Sequence, residues 1–162
     1  MKKHLFFLIG ILFSLNLIAQ DNTPPYKKHP GVPPFNLVHY DGKKITKDQL
    51  KKGQPVMIMF FSPKCDHCQK QTKDMLANMN KLKNTQIVMA SYEPLADLKA
   101  FAIQYKLNHN NIYIGRDETF FLPPFYKIGA LPFIATYDKS GNLVNVHEGN
   151  VDMAELIKEL SR

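Results

Sequence analysis

Tryptophan is absent from this chain, and cysteine occurs twice, at Cys65 and Cys68. Two cysteines cannot build the multi-disulfide frame of a small secreted scaffold. Together with His67 they also fall short of the four ligands a structural zinc site needs. No cysteine follows the apolar N-terminal run, which excludes a lipidated N-terminus. Internal repeats and low-complexity tracts are missing, which excludes solenoids and arrays. No apolar run reaches the roughly 20 residues of a membrane-spanning helix. Basic residues are in excess, 21 against 14 acids, yet they form no stripe with interleaved aromatics, so nucleic acid is not an expected partner. Pairs such as Lys27-Lys28, Lys43-Lys44 and Lys51-Lys52 read as solvated faces with a general attraction for acidic partners.

What is present fits one globular domain: 162 residues, 44% of them hydrophobic. The most informative stretch is Phe60-Phe61-Ser62-Pro63-Lys64-Cys65-Asp66-His67-Cys68, which follows the apolar run Val56–Phe61. A strand leading straight into C-x-x-C at a helix start has a chemical logic. The free N–H groups and positive dipole end of the helix favour a thiolate at the first sulfur. The second sulfur, three residues on, shares that helix face and can close a disulfide with the first. The pair is a reversible two-electron switch.

Residues 1–20 have the layout of a secretory signal: Lys2-Lys3-His4, an apolar core from Leu5 to Leu15, then a more polar exit. An uncut signal would instead tether the protein. Residues 21–34 carry five prolines and read as a tether or an extended lead-in, without helix or interior strand. Residues 35–162 then form the domain. Phe35–Tyr40 and Lys43–Thr46 read as a hairpin around a two-residue Asp41-Gly42 turn. A short helical connection follows over Lys47–Lys52. Buried strands are expected at Val56–Ser62 and Thr85–Tyr92, with helices at Asp66–Leu82 and Leu95–Tyr105. A short strand over 111–115, a weak helix over 120–126, a hairpin from Phe133 to His147 and a last helix over 151–160 complete the alternation. The expected class is α/β, a mixed central sheet flanked by helices on both faces.

With Ala130-Leu131-Pro132-Phe133-Ile134-Ala135-Thr136-Tyr137-Asp138-Lys139-Ser140-Gly141 added to the C-x-x-C, the chain resembles the thioredoxin fold. It is most similar to the exported TlpA/ResA-like branch of thiol–disulfide oxidoreductases. That branch has an N-terminal hairpin extension and a strand–helix inserted between the motif and the proline-led strand. Both have room here, since Cys68 and Pro132 stand 64 positions apart. The resemblance implies a cis peptide before Pro132, packed against the cysteine pair, with Leu131 offering its backbone to an extended partner chain. It implies Cys65 as the attacking thiol, Cys68 as the resolving thiol, and no cofactor beyond a redox-active Cys65–Cys68 disulfide.

Departures from the family pattern bear on the chemistry. Lys64 replaces the Trp common before the first cysteine. Met59 and Gln71 stand at two positions where relatives keep a buried acid. Glu93, at the end of the second central strand, is the nearest replacement as proton acceptor. His67 matches the histidine of oxidising DsbA-like motifs and would stabilise the Cys65 thiolate, Asp66 would oppose it, and Lys64 would offset Asp66. Phe125, Leu131 and Phe133 are candidates for an apolar surface around Pro132.

Rival chemistries are weaker. Gln69 after Cys68 breaks a haem-attachment motif. Ile58 stands where a thiol peroxidase motif has Pro, although Ser62 could serve as its hydroxyl. Cu(I) delivery would need His109 or His147 to reach the cysteines. A purely structural staple of so short a loop stabilises little. The sequence therefore predicts an exported thiol–disulfide oxidoreductase acting on protein thiols and disulfides, in the direction of a reductase fed by a membrane electron donor.

Overall fold

The computed structural model describes residues 22–162. The expected signal segment, residues 1–20, lies outside the described residues. Among those described, no helix is long and apolar enough to cross a membrane.

Seven strands form one mixed sheet in the order β2-β1-β5-β4-β3-β6-β7. Here β1 is Asn36–Val38, β2 Lys44–Thr46, β3 Val56–Phe60, β4 Gln86–Ser91, β5 Ile112–Arg116, β6 Phe133–Tyr137 and β7 Leu143–Glu148. β3, β4 and β5 run parallel, and β6 and β7 add antiparallel on one side. The β1–β2 hairpin adds on the other, through a single Val38–Arg116 pairing. This is the thioredoxin fold with the hairpin extension expected from the sequence.

β3, β4 and β6 are buried along their whole length. Unbroken apolar runs form strands here because the sheet is covered on both faces. Alternate residues sort into two cores. Met57, Met59, Phe61, Ile87 and Met89 pack against α2 (Asp66–Ala77), α4 (Leu95–Gln104) and α6 (Met153–Leu160). Val56, Ile58, Phe60, Val88 and Ala90 pack against α5 (Leu122–Tyr126) and the N-terminal segment. Gly115 in β5 is required by close approach: a Cβ there would lie 2.9 Å from the Leu37 Cβ of β1.

Four local expectations are corrected. The proline-rich lead-in contains a helical turn, α1 (Pro25–Lys28), since Pro25 occupies a first-turn position where a fixed φ and a missing N–H are harmless. It is also not a free tether, because Gly31 bridges Asn142 and Val32 is buried. The β1–β2 turn has a longer loop than two residues: Gly42 N–H donates to the His39 carbonyl and Gly42 sits at φ +87° as a bulge. The helix expected over 66–82 breaks at Asn78, whose side chain donates to the Asp74 carbonyl, and resumes as α3 (Met79–Leu82). The short helical connection expected after β2 is present as a 3₁₀ turn over Lys47–Gln49.

Candidate active site

β3, β4 and β5 all end at one edge of the sheet, where β6 begins. The chain leaving β3 turns through Ser62 and Pro63 into α2, and Cys65 is the N-cap of that helix. A cysteine at this position does what a Ser or Asp cap does: its Sγ accepts the Cys68 backbone N–H at 3.3 Å. Thr72 Oγ1 donates to the Cys68 carbonyl at 2.8 Å one turn later. Both cysteines are free thiols in this structure.

The two sulfurs occupy different environments. Cys65 is half-buried, whereas Cys68 is fully enclosed in the core with Met75 and Phe61. Burial, and then the hydrogen bond to Cys65, push the Cys68 thiol up to about 12. A half-buried sulfur beside a buried, protonated one is the asymmetry that sequential disulfide exchange needs.

The Leu131–Pro132 peptide is cis. Pro132 is buried, Leu131 is half-buried, and the Leu131 carbonyl oxygen lies 4.0 Å from Cys65 Sγ. The cysteine pair and the proline-led strand are therefore brought together although Cys68 and Pro132 stand 64 positions apart.

Glu93 follows β4 beside the β3 exit. Its Oε1 accepts the Ser62 hydroxyl at 2.9 Å, and its Oε2 lies 4.0 Å from Lys64 Nζ. The Ser62 backbone in turn bonds to the Cys68 thiol and favours its ionised form. Glu93 is thus one residue removed from the buried sulfur.

The remaining residues singled out from the sequence are placed differently from expectation. Lys64 does not offset Asp66. Its ammonium is bound to Asp97 Oδ2 of α4 at 2.9 Å, which, with Glu93, raises its pKa. The His67 ring is turned to Asn150 Oδ1, 3.0 Å from its Nδ1, rather than to Cys65. Asp66 is exposed in the first turn of α2. Phe125 and Phe133 are core residues, 8% and 2% exposed. His109 stands at the far end of the sheet, before β5, and His147 Nε2 is held by Glu159 at 3.1 Å. Ile58 is buried in mid-β3, paired with Val88 and Ala135.

Two features escaped sequence reading. Gln71 is 1% exposed and clamps the loop before α6: its Oε1 accepts Val151 N–H at 2.8 Å and its Nε2 donates to the Val151 carbonyl at 3.2 Å. Asp97 as the partner of Lys64 left no local trace, because the two meet across separate elements.

Comparisons with known proteins agree with this geometry. The model of the AhpC/TSA family matches residues 30–145. Methylamine utilization protein MauD of Methylophilus methylotrophus is 21% identical over 94% of this chain and 76% of its own length. A thiol:disulfide interchange protein of the thioredoxin family from Chlorobium tepidum superposes with a TM-score of 0.67 at 21% identity, covering 87% of this chain and 97% of that one. A secreted Mycobacterium tuberculosis disulfide oxidoreductase homologous to E. coli DsbE superposes at 0.65 with 16% identity, covering 78% and 94%.

Proposed function

Since the chain belongs to the AhpC/TSA family and is a thiol–disulfide oxidoreductase of thioredoxin fold, we propose that it works outside the cytosol, reducing disulfides of protein partners through Cys65 and Cys68. The observation that carries this reading is the unequal pair at the start of α2: Cys65 half-exposed beside Leu131, Cys68 buried beneath it.

The reaction balances as two exchanges. The Cys65 thiolate attacks one sulfur of the partner's disulfide, forming a Cys65–partner bond and releasing the other partner sulfur as a thiolate. Cys68 then loses its proton and attacks Cys65, forming the Cys65–Cys68 disulfide and releasing the second partner thiolate. Two electrons have passed to the partner, and a dithiol donor, proposed to be membrane-bound, restores the pair. Since Cys68 is a weak acid, the second step needs a proton acceptor, and Glu93, reached through Ser62, takes that role. The Leu131 carbonyl is placed to accept an N–H of an extended partner segment. Asp66, exposed next to the attacking sulfur, adjusts its poise, whereas His67 is held by Asn150.

Export is supported by the signal-like residues 1–20, by the persistence of disulfide chemistry outside the cytosol, and by the secreted relative. Thiol peroxidase chemistry is the second reading, favoured by the family match. Against it stand Ile58 at the motif's proline position and a Ser62 hydroxyl already donating to Glu93. Cu(I) delivery lacks a histidine turned to the cysteines among the described residues.

The test is Cys68→Ser, which leaves Cys65 able to attack and unable to be resolved. Covalent adducts of that variant with extracytoplasmic proteins are expected, absent in Cys65→Ser. No adducts, with Cys65 confirmed reduced and reactive, would sink the assignment. Equilibration with glutathione decides direction: a potential above roughly −150 mV, near that of strong oxidases, would make this an oxidase. Rapid consumption of hydrogen peroxide by the reduced protein would favour the peroxidase.

A further inference from the structure

Large apolar side chains are costly to leave in water when a core is available. Among the described residues, three are exposed: Tyr92, Ile103 and Phe120. Two of them, Tyr92 at 45% and Phe120 at 54%, meet edge to face with ring centroids 6.1 Å apart. They stand at the sheet edge that carries Cys65, in the loops after β4 and β5.

Phe120 is held out by its backbone. It is one of three non-glycine residues at positive φ among the described residues, at +52°, where an aromatic side chain is rarely found. The loop around it is built for that conformation. Asp117 is 3% exposed, and its two carboxylate oxygens accept the N–H groups of Phe121 at 3.1 Å and Leu122 at 2.8 Å. The Asp117 N–H is anchored on the Ser91 carbonyl at 2.7 Å, and Arg116 Nε donates to the Tyr92 carbonyl at 3.2 Å. The two ring-bearing loops are thereby tied to each other. A strained residue supported by a buried carboxylate marks a place where surface shape matters.

The rings also continue the site. Phe133 follows Pro132 directly and pairs with Phe60 across β6 and β3; the Phe60 ring lies 6.1 Å from Tyr92, which meets Phe120. An aromatic row thus runs from the Leu131–Pro132 loop to Phe120, with buried inner members and exposed outer ones. Tyr92 also precedes Glu93, whose carboxylate reaches Ser62 and Lys64 beside Cys65.

The geometry points to Tyr92 and Phe120 as the docking surface for the segment flanking a partner's reacting cysteine, selecting an extended chain with an aromatic or large aliphatic residue beside that cysteine. This rests on the reductase reading above and adds what that site prefers. From β3, above which Cys65 sits, to β5 is two strand spacings, about 10 Å, or about three residues of extended chain. An apolar side chain about three positions from the partner cysteine, on either side, is therefore the feature recognised. The reaction is the one already written, with the dithiol of this chain as reductant. The rings take no part in the bond changes.

The probes are two synthetic nine-residue peptides, each with a central cysteine in mixed disulfide with glutathione. One carries Phe three positions to either side, the other Ser. Reduced protein is mixed with each, and with oxidised glutathione, in single-turnover reactions. Wild type is expected to react with the Phe peptide roughly tenfold faster than with the Ser peptide. Phe120→Asn, which removes the ring and tolerates the left-handed backbone, and Tyr92→Ser should each cut that preference to less than about threefold. Equal wild-type rates for the two peptides, or a preference that survives both substitutions, would overturn the docking surface alone. A wild type inert to glutathione and to both peptides would overturn the reductase reading and this inference with it. A dimer that Phe120→Asn dissociates would assign the rings to a second copy of this chain and overturn the proposal.

Discussion

Glu93 and Glu159 are both partly or largely buried carboxylates at the margin of the same sheet, and they differ in how fully they are bonded. Glu159, 7% exposed on α6, accepts the Thr136 hydroxyl and the Asn145 amide at 2.8 Å each, and its two oxygens lie 3.1 Å from His147 Nε2. Burial pushes its pKa up, but the hydrogen bonds from Asn145, His147 and Thr136 outweigh it, leaving the carboxyl below its ordinary value. That oxygen pair is saturated and ties α6 to β6 and β7. Glu93 accepts one close hydrogen bond, from Ser62, and has a lysine at 4.0 Å. It keeps capacity for a proton and sits one residue from a thiol that must lose one. Burial alone does not mark function; unfilled bonding capacity next to a reactive group does.

The comparison breaks most sharply at Glu93. Glu93→Gln keeps an acceptor for Ser62 and removes the proposed base, so resolution of the mixed disulfide at pH 7 should slow on the order of 100-fold. The slowed step should then accelerate about tenfold per pH unit, because Cys68 ionises only near 12. Rapid-quench measurement of adduct decay from pH 6 to 9 checks this, and an unchanged rate would return Glu93 to a surface role.

Glu159→Gln should do the reverse. It leaves donors facing an amide N–H and should lower unfolding free energy by about 1–3 kcal/mol, with exchange on oxidised glutathione retained. Urea unfolding of wild type and variant gives the difference. Since the folded carboxyl lies below its ordinary value of 4.5, its contribution is present above that pH and lost as pH falls below it. The gap between variant and wild type should close in acid.

At the alkaline end the sign reverses. Cys68 is raised from 9.0 to about 12, so its neutral form contributes stability that is full below pH 9 and lost toward 12. Reduced wild type should weaken over that window more than Cys68→Ser does, read by denaturant midpoints. The smallest effect belongs to Lys64→Gln. Its exposed pair with Asp97 is screened by water, and exchange rates should change by less than about fivefold.

Much of this molecule is legible in the order of its residues. Strand, C-x-x-C and helix are local: an apolar run, two sulfurs three apart and a capping position are set within about ten residues. The proline-led strand was legible for the same reason. The misread places were those where a local signal competes with a distant partner. Asn78 broke a periodic helix by donating its side-chain amide to the Asp74 carbonyl one turn back. His67 and Lys64 were read against their sequence neighbours, but Asn150 and Asp97, 83 and 33 positions away, hold them.

The sequence by itself determined most of the strands and helices and the place of the cysteine pair at a helix start, because helix caps and apolar periodicity act between residues close in the chain. The tertiary structure decided the rest. It put Leu131 beside Cys65 and enclosed Cys68 so that its thiol resists ionisation. It joined Glu93 to Ser62 and raised Tyr92 and Phe120 at the same edge, since parallel strands joined by crossovers bring their ends together however far apart they lie in sequence.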